Sequence, residues 1–173
     1  MRAWIVVPLC LAAACSDGES DKKSEEAAAA MQAGQWQIDS QVTAFRSTDK
    51  AMPALKASVG DKATAGACIE QGKEEKPPPE MFAGAGYECE YKDHYMRSGR
   101  INVSLQCERD ALEGNIMMTV EGSYTGDSFE ATVNTNSLLS GDGDFAMASK
   151  LTGRRTGPAC AAPAAAGGGK ARS

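Results

Sequence analysis

Tyr87-Glu88-Cys89-Glu90-Tyr91-Lys92-Asp93-His94-Tyr95-Met96-Arg97-Ser98-Gly99-Arg100-Ile101-Asn102-Val103-Ser104-Leu105-Gln106-Cys107 is the stretch whose reading decides the fold. Tyr87, Cys89, Tyr91 and Tyr95 fall on one phase of a strand. Ile101, Val103, Leu105 and Cys107 fall on one phase of a second. Alternation with a period of two marks a β-strand with one buried face. Between the two, Arg97-Ser98-Gly99 reads as a three-residue turn, with glycine at the left-handed position that such loops favour. Pairing Met96 with Arg100 sets Tyr95 opposite Ile101, Tyr91 opposite Leu105 and Cys89 opposite Cys107.

The pattern continues toward the C-terminus. Glu113-Gly114 reads as the next turn. With Leu112 opposite Asn115, Cys107 faces Val120 and Val103 faces Tyr124. Gly126-Asp127 reads as a two-residue turn of type II′, which wants glycine first. It sets Tyr124 opposite Phe129, Gly122 opposite Ala131 and Val120 opposite Val133. After Ser140-Gly141-Asp142-Gly143-Asp144, the last strand presents Phe145, Met147 and Leu151 in one phase. A slip of one residue at any turn would invert a strand. Agreement across three turns therefore predicts an antiparallel meander with one buried face.

Toward the N-terminus, Trp36, Ile38, Ser40 and Val42 alternate with polar residues and predict another half-buried strand. Lys50 to Val59 carries Met52, Leu55 and Val59 at helical spacing, with Pro53 close enough to the start to be tolerated. Ser24-Glu25-Glu26, a run of alanines and Gly34 supply a cap, an acidic first turn and a stop for a second, marginal helix. Cys68 to Phe82 reads as irregular, with a charged loop at Gln71–Lys76 and an extended Pro77-Pro78-Pro79. The expected fold is mainly β with a minor α part: a single antiparallel meander sheet over residues 35–160, curved or partly closed, with one or two short N-terminal helices. An Ala/Gly-rich tail follows at 161–173.

At the start of the chain, Arg2 precedes an apolar run from Ala3 to Ala14, which ends in Leu11-Ala12-Ala13-Ala14-Cys15. The run is too short to span a bilayer, which takes about 20 residues. Its layout is that of an export signal, and it resembles a bacterial lipoprotein lipobox. There the cysteine thiol takes a diacylglycerol, the signal is cut before it, and the new amino group is acylated. The resemblance implies a signal peptide at 1–14, lipidation of Cys15, and a tether at 15–34. It makes the membrane a partner through the acyl chains on Cys15. Ser16, in place of an aspartate, implies an outer-membrane location facing the periplasm. Three acyl chains exceed the two signals that stable anchoring needs.

Six cysteines are present. With Cys10 in the signal and Cys15 at the anchor, four remain, an even number in an oxidising compartment. The hairpin register pairs Cys89 with Cys107. Cys68 and Cys160 are left to each other and would tie the N-terminal part to the end of the last strand. No pair has C-x-x-C spacing and there is one histidine, which argues against zinc. Lys plus Arg is 18 and Asp plus Glu is 23, a net charge of −5 without a basic stripe, which argues against nucleic acid.

Gly34-Gln35-Trp36-Gln37-Ile38, Cys68-Ile69-Glu70, the Cys89 and Cys107 pair around a glycine turn, Gly122 to Phe129, and Gly153 to Cys160 form an ordered set. The set resembles a family of small exported proteins, mostly proteobacterial, known as domain of unknown function 3617. The resemblance spans Gly34 to Cys160 and implies export, disulfides and a β domain. It implies no activity.

No Gly-x-Ser-x-Gly elbow, no glycine-rich phosphate loop and no unpaired thiol is present for catalysis, so no enzyme and no cofactor is expected. His94 falls on the polar phase with Glu88, Glu90 and Lys92 and reads as solvated. Asp142 and Asp144 read as turn residues, since the later glutamate of a calcium loop is missing. Met118 and Met147 read as core filling, although Met117, Met118 and Met147 together raise a copper site as the competing idea. Arg154-Arg155 reads as a solvated strand end, with an acidic partner or lipid headgroups as the alternative. The expected role is a non-catalytic, lipid-anchored envelope module that binds a partner protein or an apolar ligand. The expected ligand face is Trp36, Tyr87, Tyr91, Tyr95, Tyr124 and Phe129, which share the inner phase. A hydrolase built on His94 and Glu90 is the least favoured alternative.

Overall fold

The computed structural model describes residues 30–160. Its seven strands are β1 (Gly34–Ser47), β2 (Lys62–Ile69), β3 (Tyr87–Arg97), β4 (Arg100–Arg109), β5 (Leu112–Tyr124), β6 (Ser128–Leu139) and β7 (Phe145–Gly157), with one short helix, α1 (Glu80–Ala83). They form a single antiparallel sheet in the order β2-β1-β7-β6-β5-β4-β3, curled into a half-barrel. β3 to β7 are the meander expected from the sequence. β1 then joins its far side by pairing with β7, and β2 pairs outside β1.

The inner phase of the strands is the core, as one-sided burial of an antiparallel sheet requires. Ile101, Val103, Leu105 and Cys107 on β4 and Ile116, Met118 and Val120 on β5 are buried. Trp36 and Phe129 sit with ring centroids 6.2 Å apart, and Phe82 of α1 meets Phe129 edge-on at 5.6 Å. Gly153 lies opposite Phe129 in the ladder, and a Cβ on it would fall inside the Phe129 ring. The bare backbone is what lets that ring lie flat on β7.

The two edge strands, β2 and β3, do not pair with each other. The segment between them bridges the gap, and α1 touches both. Pro79 precedes the first turn of α1 with φ −62°, and Gly84 ends the helix at φ 82°. Tyr91 Oη donates a hydrogen bond of 2.8 Å to the Pro77 carbonyl and pins the segment to β3.

The β5–β6 register is the expected one: Tyr124 faces Phe129, Gly122 faces Ala131 and Val120 faces Val133. The turn is not type II′, because φ of Gly126 is not positive. Its small size makes room for the N-terminal segment instead: a Cβ there would press on the Gln32 side chain, and Gln32 N donates to the Gly126 carbonyl at 2.8 Å.

Two other registers need correction. The β3–β4 turn is the two-residue Ser98-Gly99, both left-handed at φ 52° and 73°, so Arg97 faces Arg100. A bulge at Lys92 then restores Tyr91 opposite Leu105 and Cys89 opposite Cys107. Between the bulge and the turn the strand is inverted relative to expectation. Tyr95 points outward at 54% exposure, while His94 and Met96 move to the inner phase. The β4–β5 turn is Asp110-Ala111, not Glu113-Gly114, so Cys107 faces Ile116 and Val103 faces Val120. Gly114 lies inside β5, where a side chain would run into the backbone of Leu138 and Leu139.

Lys50 to Val59 is not a helix. Met52 is 88% exposed and Val59 is also exposed, so no apolar stripe is buried to hold one. Cys68 lies on a strand and not in an irregular segment. The folded unit also begins before Gln35. Ala30–Ala33 is not helical, Met31 is fully buried, and Trp36 Nε1 donates to the Gln32 carbonyl at 3.1 Å. The tether bounds of 15–34 therefore run too far into the chain. The signal at 1–14, Cys15 and the tail at 161–173 lie outside the described residues.

Both disulfides are formed. Cys89–Cys107 crosses the first hairpin between directly opposed residues, with Cα atoms 4.0 Å apart. Cys68–Cys160 joins the outermost strand to the residues past β7, with Cα atoms 5.5 Å apart and a sequence separation of 92.

Candidate functional site

The concave face is filled along one half and open along the other. In the filled half, Trp36, Tyr124 and Phe129 meet Met31 and Phe82, which close over them. In the open half the inward positions pass from aromatic to smaller side chains. β6 runs Phe129, Ala131, Val133, Thr135, and β7 runs from Gly153 through Leu151 and Ser149 to Met147. A groove of about 250 Å³ remains there, floored by Ile38, Met118, Val133 and Leu151 and walled by Leu55 of the β1–β2 loop and by Met81–Ala85. Ser40, Thr135 and Ser149 add hydroxyls, and Lys56, Glu80 and Arg109 add charges at its margins. A larger depression of about 690 Å³ lies at the β4–β5 turn, but Glu88, Glu108, Asp110 and Glu113 line it and it offers no enclosed apolar wall.

Of the six aromatic residues expected as a ligand face, only Tyr87 lines the groove. Trp36, Tyr124 and Phe129 are consumed by the core. Tyr91 is spent on the Pro77 carbonyl, and its hydroxyl is held protonated by burial and by the nearby Glu80 charge, which push its pKa up. Tyr95 faces solvent on the other side of the sheet. What the sequence reading missed is the row of inward hydroxyls: Ser40, Thr135 and Ser149 sit on apolar phases, and that interruption is the signal that marks the groove.

His94 and Glu90 do not form a pair. The Lys92 bulge puts His94 on the inner phase opposite Val103, while Glu90 stays outside. The His94 ring stands edge-on to Tyr91 at 4.9 Å, and Nε2 is buried without a partner. Burial first, and Lys76 second, push its pKa down, so the neutral ring is favoured. Met118 is in the core as expected, and both it and Met147 reach the groove. Arg155 is not merely solvated: its Nε donates to the Ala33 carbonyl at 2.8 Å and holds the N-terminal segment down, while Arg154 is exposed.

The loop after β6 is fixed by two carboxylates. Asp144 Oδ1 accepts from Ser137 Oγ at 2.7 Å and from Leu139 N at 2.9 Å. Asp49 Oδ2 accepts from Gly143 N at 2.7 Å and Asp144 N at 2.9 Å, and Oδ1 accepts from Ala51 N at 2.9 Å. These backbone donors lower the Asp49 pKa to about 2.

Residues 31–160 match the model of a family described as "Protein of unknown function (DUF3617)". The chain belongs to this family. The match begins at Met31, the residue whose side chain is buried at the filled end, and ends at Cys160 of the long disulfide. Family and fold thus share their limits. No curated protein and no solved structure matches the chain.

Proposed function

We propose that this protein is a non-catalytic binding module of the cell envelope, exported and held to the outer membrane by acyl chains on Cys15, and that it takes an apolar small ligand into its concave groove. The observation that carries the reading is the groove itself. The other half of the concave face is filled by its own side chains. Here about 250 Å³ is left between Ile38, Val133, Leu151 and α1, with most of the lining apolar. Concave apolar sites with a few convergent polar groups are where small ligands bind. The lipidated Cys15 and the export signal rest on the sequence, and the tether between Cys15 and Met31 would hold the groove near the membrane surface.

Two experiments test the two parts. N-phenyl-1-naphthylamine, a neutral apolar probe, is expected to bind the full mature chain saturably at one site. Val42→Trp and Met147→Trp, which fill the groove from the neighbouring strands β1 and β7, are expected to weaken it at least about tenfold, a difference of about 1.4 kcal/mol. Unsaturable binding, or equal binding in both variants with their circular dichroism unchanged, would overturn the groove. Cys15→Ser is expected to move the protein from the membrane to the soluble fraction. Persistence at the membrane would overturn the anchor.

A further inference from the structure

β4 carries one cation on its buried phase. Ile101, Val103, Leu105 and Cys107 are buried, and Arg109 continues that phase opposite Tyr87. Its guanidinium lies 4.5 Å from the centre of the Tyr87 ring. Both residues line the groove and form the wall between it and the depression at the β4–β5 turn. Tyr87 is only 8% exposed, and its hydroxyl is buried without a hydrogen-bond partner. Among the described residues the one ion pair joins Lys92 and Glu90, so Arg109 has no carboxylate of its own.

We propose that the groove is a site for a single-chain anionic amphiphile, whose carboxylate is bound by Arg109 and Tyr87 and whose apolar body lies along Ile38, Val133 and Leu151. This rests on the binding-module reading above and names its ligand class. Buried polar groups in native proteins are almost always paired, and the Tyr87 hydroxyl is a donor in want of an acceptor. A guanidinium carries five N–H donors in a plane. Stacking on Tyr87 uses its face and leaves those edge donors for a carboxylate, which they fit in bidentate fashion. The charge balance agrees. Within the groove Lys56 and Arg109 oppose the single carboxylate of Glu80, while Glu88, Glu108, Asp110 and Glu113 line the depression on the far side of Arg109 without pairing with it. Size narrows the class further. At about 250 Å³ the groove is just below the usual range for small-molecule pockets, which starts near ~300 Å³. It suits one short chain and excludes a two-chain phospholipid.

The test is competition against N-phenyl-1-naphthylamine on the full mature protein, with decanoate and 1-decanol as the competitors. Decanoate is expected to displace the probe at about a tenfold lower concentration than decanol, the size of a charge-assisted hydrogen bond. Arg109→Gln is expected to abolish that preference while decanol competes as before. Arg109→Lys should keep part of it, and Tyr87→Phe should reduce it without changing the fold. Equal displacement by acid and alcohol in the wild type would overturn the inference and leave the groove standing. So would a preference that survives in Arg109→Gln, and Arg109 would then serve only to cover the Tyr87 ring. Displacement by neither compound, together with unaltered probe binding in Val42→Trp, would overturn the groove and this inference with it.

Discussion

Trp36 and Val42 stand on the same strand and face the same way, yet one is sealed and the other borders open space. Around Trp36, the inward residues are large, and the chain supplies covers: Met31 from before β1 and Phe82 from α1. Around Val42, the inward partners are Ser149, Thr135 and Met147, and the cover is a loop edge and the flank of α1. Side-chain volume and the placement of two plugs, not any change in the strands, separate a core from a groove. The filled half should therefore carry the stability and the open half the binding.

The largest effect is expected where the outer strand is stapled to the filled half. Cys68→Ser with Cys160→Ser opens a bond separated by 92 positions, and the chain-entropy model gives about 4–5 kcal/mol for such a loop. Urea denaturation monitored by circular dichroism measures it. A loss under about 1 kcal/mol would mean that β1 and β2 are held by their ladder alone.

Next comes the direct comparison of the halves. Trp36→Ala should cost about 3–5 kcal/mol by leaving a cavity beside Phe129. Ser149→Ala, in the groove, should cost about 1 kcal/mol or less. Comparable losses at both sites would erase the distinction between core and groove.

A smaller pair addresses the Lys92 bulge. Tyr91→Phe removes the bond to the Pro77 carbonyl and should cost about 1 kcal/mol. Tyr95→Ser, on the exposed face, should change stability by no more than about 0.5 kcal/mol. A large loss at Tyr95 would restore it to the inner face and remove the bulge.

The last is a pH effect. Asp49 has a depressed pKa, so its contribution is complete above its ordinary value of 3.8 and is lost as pH falls toward about 2. Melting temperature measured across that window should fall less in Asp49→Asn than in the wild type. Equal slopes would show that the β6–β7 loop is held without this carboxylate.

Much of this architecture could be read from the residues. The alternation in β4, β5 and β6 fixed the buried face, and the β5–β6 register follows from it directly. The misplaced β4–β5 turn shows how a reading can keep the face and miss the pairing. Gly114 resembled a turn residue, yet it is small because Leu138 and Leu139 crowd its backbone. The true turn places Ala111 at φ 67°, a conformation that alanine does not advertise. The resulting shift is by an even number of residues, so inward residues stayed inward. The Lys92 bulge is an odd shift, and it carried Tyr95 out and His94 in. β2 escaped notice because Lys62-Ala63-Thr64-Ala65-Gly66-Ala67 has little bulk to alternate. The groove was illegible for a related reason: aromatic residues are prominent in a sequence, whereas the space they leave elsewhere is not.

The most direct test of the central claim is native mass spectrometry of the acylated protein, released gently from its own envelope with both disulfides intact. An additional mass of single-chain, small-molecule size is expected, one that survives removal of free lipid and disappears in Val42→Trp. A bare mass in the wild type, or an adduct that persists unchanged in Val42→Trp, would contradict it.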